Sequence, residues 1–238
     1  MKTDYAGNEL LFSMLESVAE KYAIVKETEA AKAVYQQILE QCPNDEKAAL
    51  VAKAGLGKYE INSALSCGDE TSADAITSQL VSEFTNSKHR WEAMHALAWG
   101  LYNDCLALAA KVDKSTLMTN YALRTVSLLE NHLLPLNPPE NVKAESYLIL
   151  AECHYRLKNP AATREYFQKY YDTSPRYELA CYAKHMIARC LESEIKLGLV
   201  SESEARPQIR EIQQNILSDY PACESVEYAE DWLERNSQ

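Results

Sequence analysis

Histidines and cysteines are the side chains here whose spacing could support chemistry. His89, Glu92 and His95 stand three apart on one predicted helix. A zinc-protease arrangement needs its two histidines four apart, so that both reach one ion. Six apart puts them more than a turn and a half away, and an ordinary amphipathic helix start accounts for them. Cys181 and His185 are four apart and could share a metal face. No second pair stands nearby, since Cys190 lies five beyond His185, and both residues fit an ordinary packed helix. Cys153 and His154 are adjacent, which on a helix sends their side chains about 100° apart. A thiol–imidazole nucleophile pair needs convergence from separate elements. There is no GxSxG elbow and no glycine-rich phosphate loop, and six glycines leave little scope for one. Carboxylates are plentiful, but nothing selects a catalytic pair. The expectation is a non-enzyme with no catalytic residue, no metal and no cofactor.

Composition narrows the classes further. The 238 residues are 47% hydrophobic, enough to bury a substantial interior. Mean hydropathy is -0.37, and the most apolar stretch, Ala93 to Ala110, is interrupted by His95, Asn103 and Asp104. No membrane-spanning helix is expected from that pattern. The start, Met1-Lys2-Thr3-Asp4-Tyr5, lacks the apolar core of a secretory signal, which favours a cytoplasmic location. A net charge of -11 argues against nucleic acid, whose binders neutralise phosphates with Lys and Arg. The charge is uneven: residues 1–88 hold eight basic and fourteen acidic side chains, 141–198 hold nine and seven, and 199–238 hold three and nine. A mildly basic segment thus sits between acidic ends. Seven cysteines form an odd set without a CxxC pair, and Cys105, Cys153, Cys181 and Cys190 fall inside apolar helical patterns. A disulfide framework is expected to be even and loop-borne, so free thiols in a reducing compartment are expected.

The elements that carry these residues are helical throughout. Apolar residues recur at three and four, as in Leu10, Met14, Val18 and Tyr22, or Leu148, Ala151 and Tyr155. Breakers at Pro43-Asn44-Asp45, Cys67-Gly68-Asp69, Thr85-Asn86-Ser87, Val112-Asp113, Pro135 to Pro139, Asn159-Pro160, Ser174-Pro175, Gly198 to Ser203 and Tyr220-Pro221 delimit them. The pattern predicts eleven helices over 5–24, 27–41, 45–66, 70–84, 88–112, 114–133, 141–158, 160–173, 177–197, 203–219 and 224–236. Asp113, Ser174 and Ser225 are expected as N-caps, and Pro160 and Pro207 in first turns. The prolines at 135–139 predict a kink at 134–140 within one array spanning 1–238.

Short helices joined by short turns cannot each bury a face alone, and stacking in pairs solves that. Ile38 to Pro43, Phe167 to Pro175 and Ile216 to Pro221 each end an apolar helix in a proline turn, with Val81 to Ser87 a fourth copy lacking the proline. From Phe12, residues Val18-Ala19, Tyr22, Ala31, Tyr35, Ile38 and Pro43 fall on one pattern of small and aromatic positions. From Ala144 the matches are Tyr147, Leu150-Ala151, Phe167 and Pro175, with His154 and Thr163 departing from it. Gly55, Gly100 and Ala188 keep the small crossing residue. This pattern resembles the tetratricopeptide repeat, with a generic likeness to bacterial repeat proteins of the cell-envelope kind. The resemblance implies an all-α solenoid, a right-handed superhelix of about five antiparallel helix pairs plus a C-terminal capping helix.

It also implies a concave groove, lined by the first helix of each pair, that grips a peptide or helix of a partner protein. Carried onto this sequence, the inward positions include Glu145, Leu148, Glu152, Tyr155 and Arg156, then Tyr59 and Glu60, and His185 and Arg189. Fifteen tyrosines against three phenylalanines suit an interface that must also survive in water, although several serve as inter-helix filler. The expected function is an interaction scaffold. The alternatives are a regulator that binds a short signalling peptide and a helical accessory domain of a larger enzyme. The last helix carries a polar face that suits a solenoid end. The first does not, so plain packing is expected there, with a homodimer through that helix second.

Overall fold

Apolar periodicity of three and four is what a helix needs to bury one stripe, and it governs the whole chain. The computed structural model describes residues 3–109, 111, 115–173 and 179–236, with side chains from Glu9 onward. Among them are eleven α-helices and no strand. They are α1 (Thr3–Ile24), α2 (Thr28–Gln41), α3 (Glu46–Ser66), α4 (Glu70–Thr85), α5 (Arg90–Leu108), α6 (Ser115–Leu128), α7 (Glu140–Arg156), α8 (Pro160–Thr173), α9 (Ala180–Lys196), α10 (Glu202–Asp219) and α11 (Val226–Arg235). The expected breakers and caps at Val112-Asp113 and Ser174-Pro175 lie outside the described residues. No helix is long and apolar enough to cross a membrane, among the described residues.

Contacts divide the chain into two compact units, Met1–Leu136 and Asn137–Gln238. The division falls in the proline-rich loop. There α6 widens into a π-helical turn, Leu129–Leu133, and then a 3-10 turn, Leu134–Leu136. Proline removes the N–H that would extend a regular helix.

In the first unit each helix packs on the next, and α3 also packs on α5. Phe12, Ile38, Ala48, Val51 and Ala52 form the core of its first pairs. Small residues set the crossings. A Cβ at Gly55 would lie 2.4 Å from the Tyr35 ring, and one at Gly57 would lie 2.3 Å from a Leu80 methyl. In the second unit α7 to α11 also pack in sequence order. Phe167, Ala151, Met186, Leu191, Ile209 and Trp232 share its core.

Two local expectations are corrected. Pro207 lies well inside α10, because Ser201 starts that helix earlier by accepting from the Glu204 amide and bonding the Glu204 carboxylate. Ser225 occupies the N-cap of α11 without a side-chain capping bond. A larger correction concerns the thiols. Cys181, on α9, is bonded to Cys223, just ahead of α11. Its helical position did not keep it from a partner brought alongside by the fold. The other five cysteines form no disulfide; Cys67 is exposed and Cys42, Cys105, Cys153 and Cys190 are buried.

Candidate functional site

Four of the turns between paired helices close identically. In each, the amide three residues past the helix end reaches back five positions, and the residue before it takes a left-handed backbone. The bonds are Glu27 N–H to Tyr22 O (2.9 Å), Asp69 to Ala64 (2.9 Å), Asn159 to His154 (3.0 Å) and Leu199 to Glu194 (2.9 Å). The left-handed residues are Lys26 (φ 65), Gly68 (φ 78), Lys158 (φ 57) and Gly198 (φ 70). Glycine suits that conformation and lysine does not. Both lysines line cavities.

The first cavity, about 450 Å³, lies in the first unit between α1, α3 and α5. Gly55, Ala96 and Gly100 contribute its small residues, Trp99 its aromatic surface, and Glu16, Glu20 and Lys26 charge. Lys58 is the buried cation. Its stem passes Gly100 so closely that a Cβ there would sit 2.6 Å from Cδ. Its Nζ lies 3.6 Å from Asp104 Oδ2, which also accepts from Asn62 Nδ2 at 2.6 Å. Burial pulls the Lys58 ammonium below its ordinary value while Asp104 pulls it back up. Burial, helped by Glu20 and opposed by Lys47, raises the Glu16 carboxyl. Tyr59, expected on a binding face, is buried beside Lys58, and burial followed by Asp104 pushes its phenol up to about 12. Glu60 is exposed.

The second cavity, about 540 Å³, is in the second unit. It opens where the last turns of α7 and α9 meet the start of α8. Tyr155, Arg156 and Arg189, all expected on the groove, line it together. Lys158, Lys196 and Leu197 line it as well and were not anticipated. Lys158 sits two residues past Arg156, the last residue expected on the face of α7, at the turn position where only comparison with Gly68 and Gly198 shows anything unusual.

The remaining expected residues serve other ends. Glu152 is 8% exposed, pairs with Arg156 at 2.5 Å, and accepts from the Tyr182 hydroxyl, tying α7 to α9. Leu148 packs against the core, and Glu145 is half-buried. His185 faces α11, its ring edge-on to Tyr228 with centroids 4.7 Å apart. Burial, then the Arg189 charge, lowers its pKa, with Glu192 acting the other way. Glu192 in turn accepts from Tyr228 (3.0 Å) and Trp232 (2.6 Å). The disulfide removes the Cys181 thiolate that a Cys181–His185 metal pair would need. His89 bonds Glu92 at 3.1 Å at the start of α5. Along α1, Phe12 and Ala19 are buried, whereas Leu10, Met14, Val18 and Tyr22 lie exposed. That stripe therefore does not pack inward as expected.

Residues 145–176, which span α7 and α8, match a family model described as a tetratricopeptide repeat. A search of curated proteins returned no significant match.

Proposed function

We propose that this tetratricopeptide-repeat chain is a non-enzymatic interaction module, and that a peptide segment of a partner protein lies across the α7 and α9 face of its second unit. The observation that carries this is the exposure of Tyr155 beside a cavity. An aromatic ring 44% open to solvent, next to the exposed Arg189 and the 62% exposed Leu197, combines an apolar anchor with charged flanks. Anchors of that type dominate the energetics of protein interfaces. The matched repeat supports the interaction role in general, and the exposed Tyr155 beside the cavity supports its location on the α7 face.

Selection from a random peptide library tests it, followed by titration of the enriched peptides against variants. Tyr155→Ala and Arg189→Ala remove exposed side chains, so their melting should stay close to that of the unaltered chain. Binding should weaken about tenfold or more with Tyr155→Ala. Arg156 is a poor probe, because its loss strands the buried Glu152 carboxylate. Peptides that bind both variants as well as the original would refute the placement on this face.

A further inference from the structure

The charge of the second cavity gives its ligand a chemical class. Four cations line it (Arg156, Lys158, Arg189 and Lys196), and among the described residues no Asp or Glu does. The whole chain carries 35 acidic residues against 24 basic ones, so this concentration runs against the background. Arg156 is neutralised by Glu152. Lys158, Arg189 and Lys196 have no carboxylate partner among the described residues.

A plainer account exists for part of this. Arg156 and Lys196 lie in the last turns of α7 and α9, where cations complement the helix dipole. Each helix end supplies only roughly half a negative charge, and the start of α8 returns roughly half a positive one. Three uncompensated cations therefore leave a clear positive excess. Neither Arg189, in the middle of α9, nor Lys158 is explained by helix ends at all. Lys158 holds a left-handed backbone at φ 57, where the equivalent turns use Gly68 and Gly198 with open space around them. The chain places the disfavoured residue where it adds charge to a cavity.

We infer that this cavity binds an acidic stretch of the partner peptide, with Asp or Glu carboxylates received by Lys158, Arg189 and Lys196 and an apolar side chain packed on Tyr155 and Leu197. This deepens the peptide-holding function proposed above and rests on it. Charge complementarity favours the acidic ligand, and the flanking apolar surface favours a peptide over a bare anion.

Fluorescence anisotropy tests it with the full chain and three probes: a labelled peptide of Asp-Glu pairs alternating with leucines, its Asn-Gln counterpart, and tripolyphosphate as competitor. The acidic peptide should bind and its counterpart should not. Arg189→Glu and Lys196→Glu, both exposed positions, should each weaken binding about tenfold with unchanged circular dichroism. Lys158→Gly should weaken it severalfold without loss of stability, and higher salt should weaken it throughout. Equal binding of both peptides, lost in Tyr155→Ala, would overturn the acidic assignment while leaving the peptide-holding function standing. No binding of the acidic peptide, or binding untouched by the charge reversals, would overturn it too. Tripolyphosphate binding more tightly than the peptide would replace the peptide with a small anion.

Discussion

The bond between Cys181 and Cys223 makes a quantitative claim about the second unit. The two residues are 42 apart in sequence, and they tie α9 to the segment leading into α11. Closing a loop of that length in the unfolded chain removes entropy worth about 4 kcal/mol at room temperature. For a unit of about 100 residues, that corresponds to a fall of about 15–20 °C in melting temperature when the bond is opened. Two measurements check it. Under denaturing, non-reducing conditions, thiol titration should find five free cysteines, rising to seven after reduction. Calorimetry with and without reductant should show the transition of α7 to α11 moving down by roughly that amount, and Cys181→Ala with Cys223→Ala should reproduce the reduced state. Seven thiols in the unreduced chain would refute the pairing. An unchanged midpoint after verified reduction would refute the loop-entropy account, with the link then adding nothing to packing already made by Ile216, Ala229 and Val226.

Two further outcomes follow from the same unit. Lys158→Gly should stabilise the chain by about 0.5–1 kcal/mol, since relief of the left-handed lysine outweighs the extra freedom of glycine in the unfolded state; urea denaturation reads this directly, and a lower midpoint would contradict it. His185 has its pKa lowered by burial and by Arg189, against the pull of Glu192. The unfolded chain therefore takes up a proton at about pH 6.5 that the folded chain resists, so stability is fully present above that pH and declines as pH falls through it. His185→Phe should flatten that part of a pH–stability curve, and an unaltered slope between about pH 7 and 5 would exclude the residue as its source.

How much of this was legible in the sequence depends on whether the signal was local. Helix existence was, because the three-and-four recurrence and the breakers are properties of neighbouring residues; the predicted and observed boundaries differ by only a few positions at most ends. The small crossing residues were also readable. Gly55 meets the Tyr35 ring and Gly100 the Lys58 stem, as close helix approach requires. Pairings across space were not readable. Cys181 looked like an apolar helix residue, and nothing in its surroundings pointed 42 positions ahead. Glu152 and Tyr59 occupy positions that the repeat pattern directs to a groove, yet long neighbours, Arg156 and Tyr182 for the first and Lys58 for the second, draw or cover them inward.

Lys26 and Lys158 show what a local rule can hide until copies are compared. Each looks like any surface lysine after a helix. Only alongside Gly68 and Gly198, which close their turns with the same backward hydrogen bond, does the choice of residue stand out. A left-handed lysine costs about 1 kcal/mol or more relative to glycine in the folded state. Both left-handed lysines line a cavity, whereas neither left-handed glycine lines either of the two, although Lys196 and Leu197 of the Gly198 turn do line the second. The two cavities differ in what the lysine adds. Beside Glu16, Glu20 and Asp104, Lys26 joins Lys58 on a wall of mixed charge; beside Arg156, Arg189 and Lys196, Lys158 completes a cationic one. If the cost were incidental, lysine would fall on the turns without regard to cavities. Its placement on these two ties the expense of the backbone to the surface that a ligand would meet.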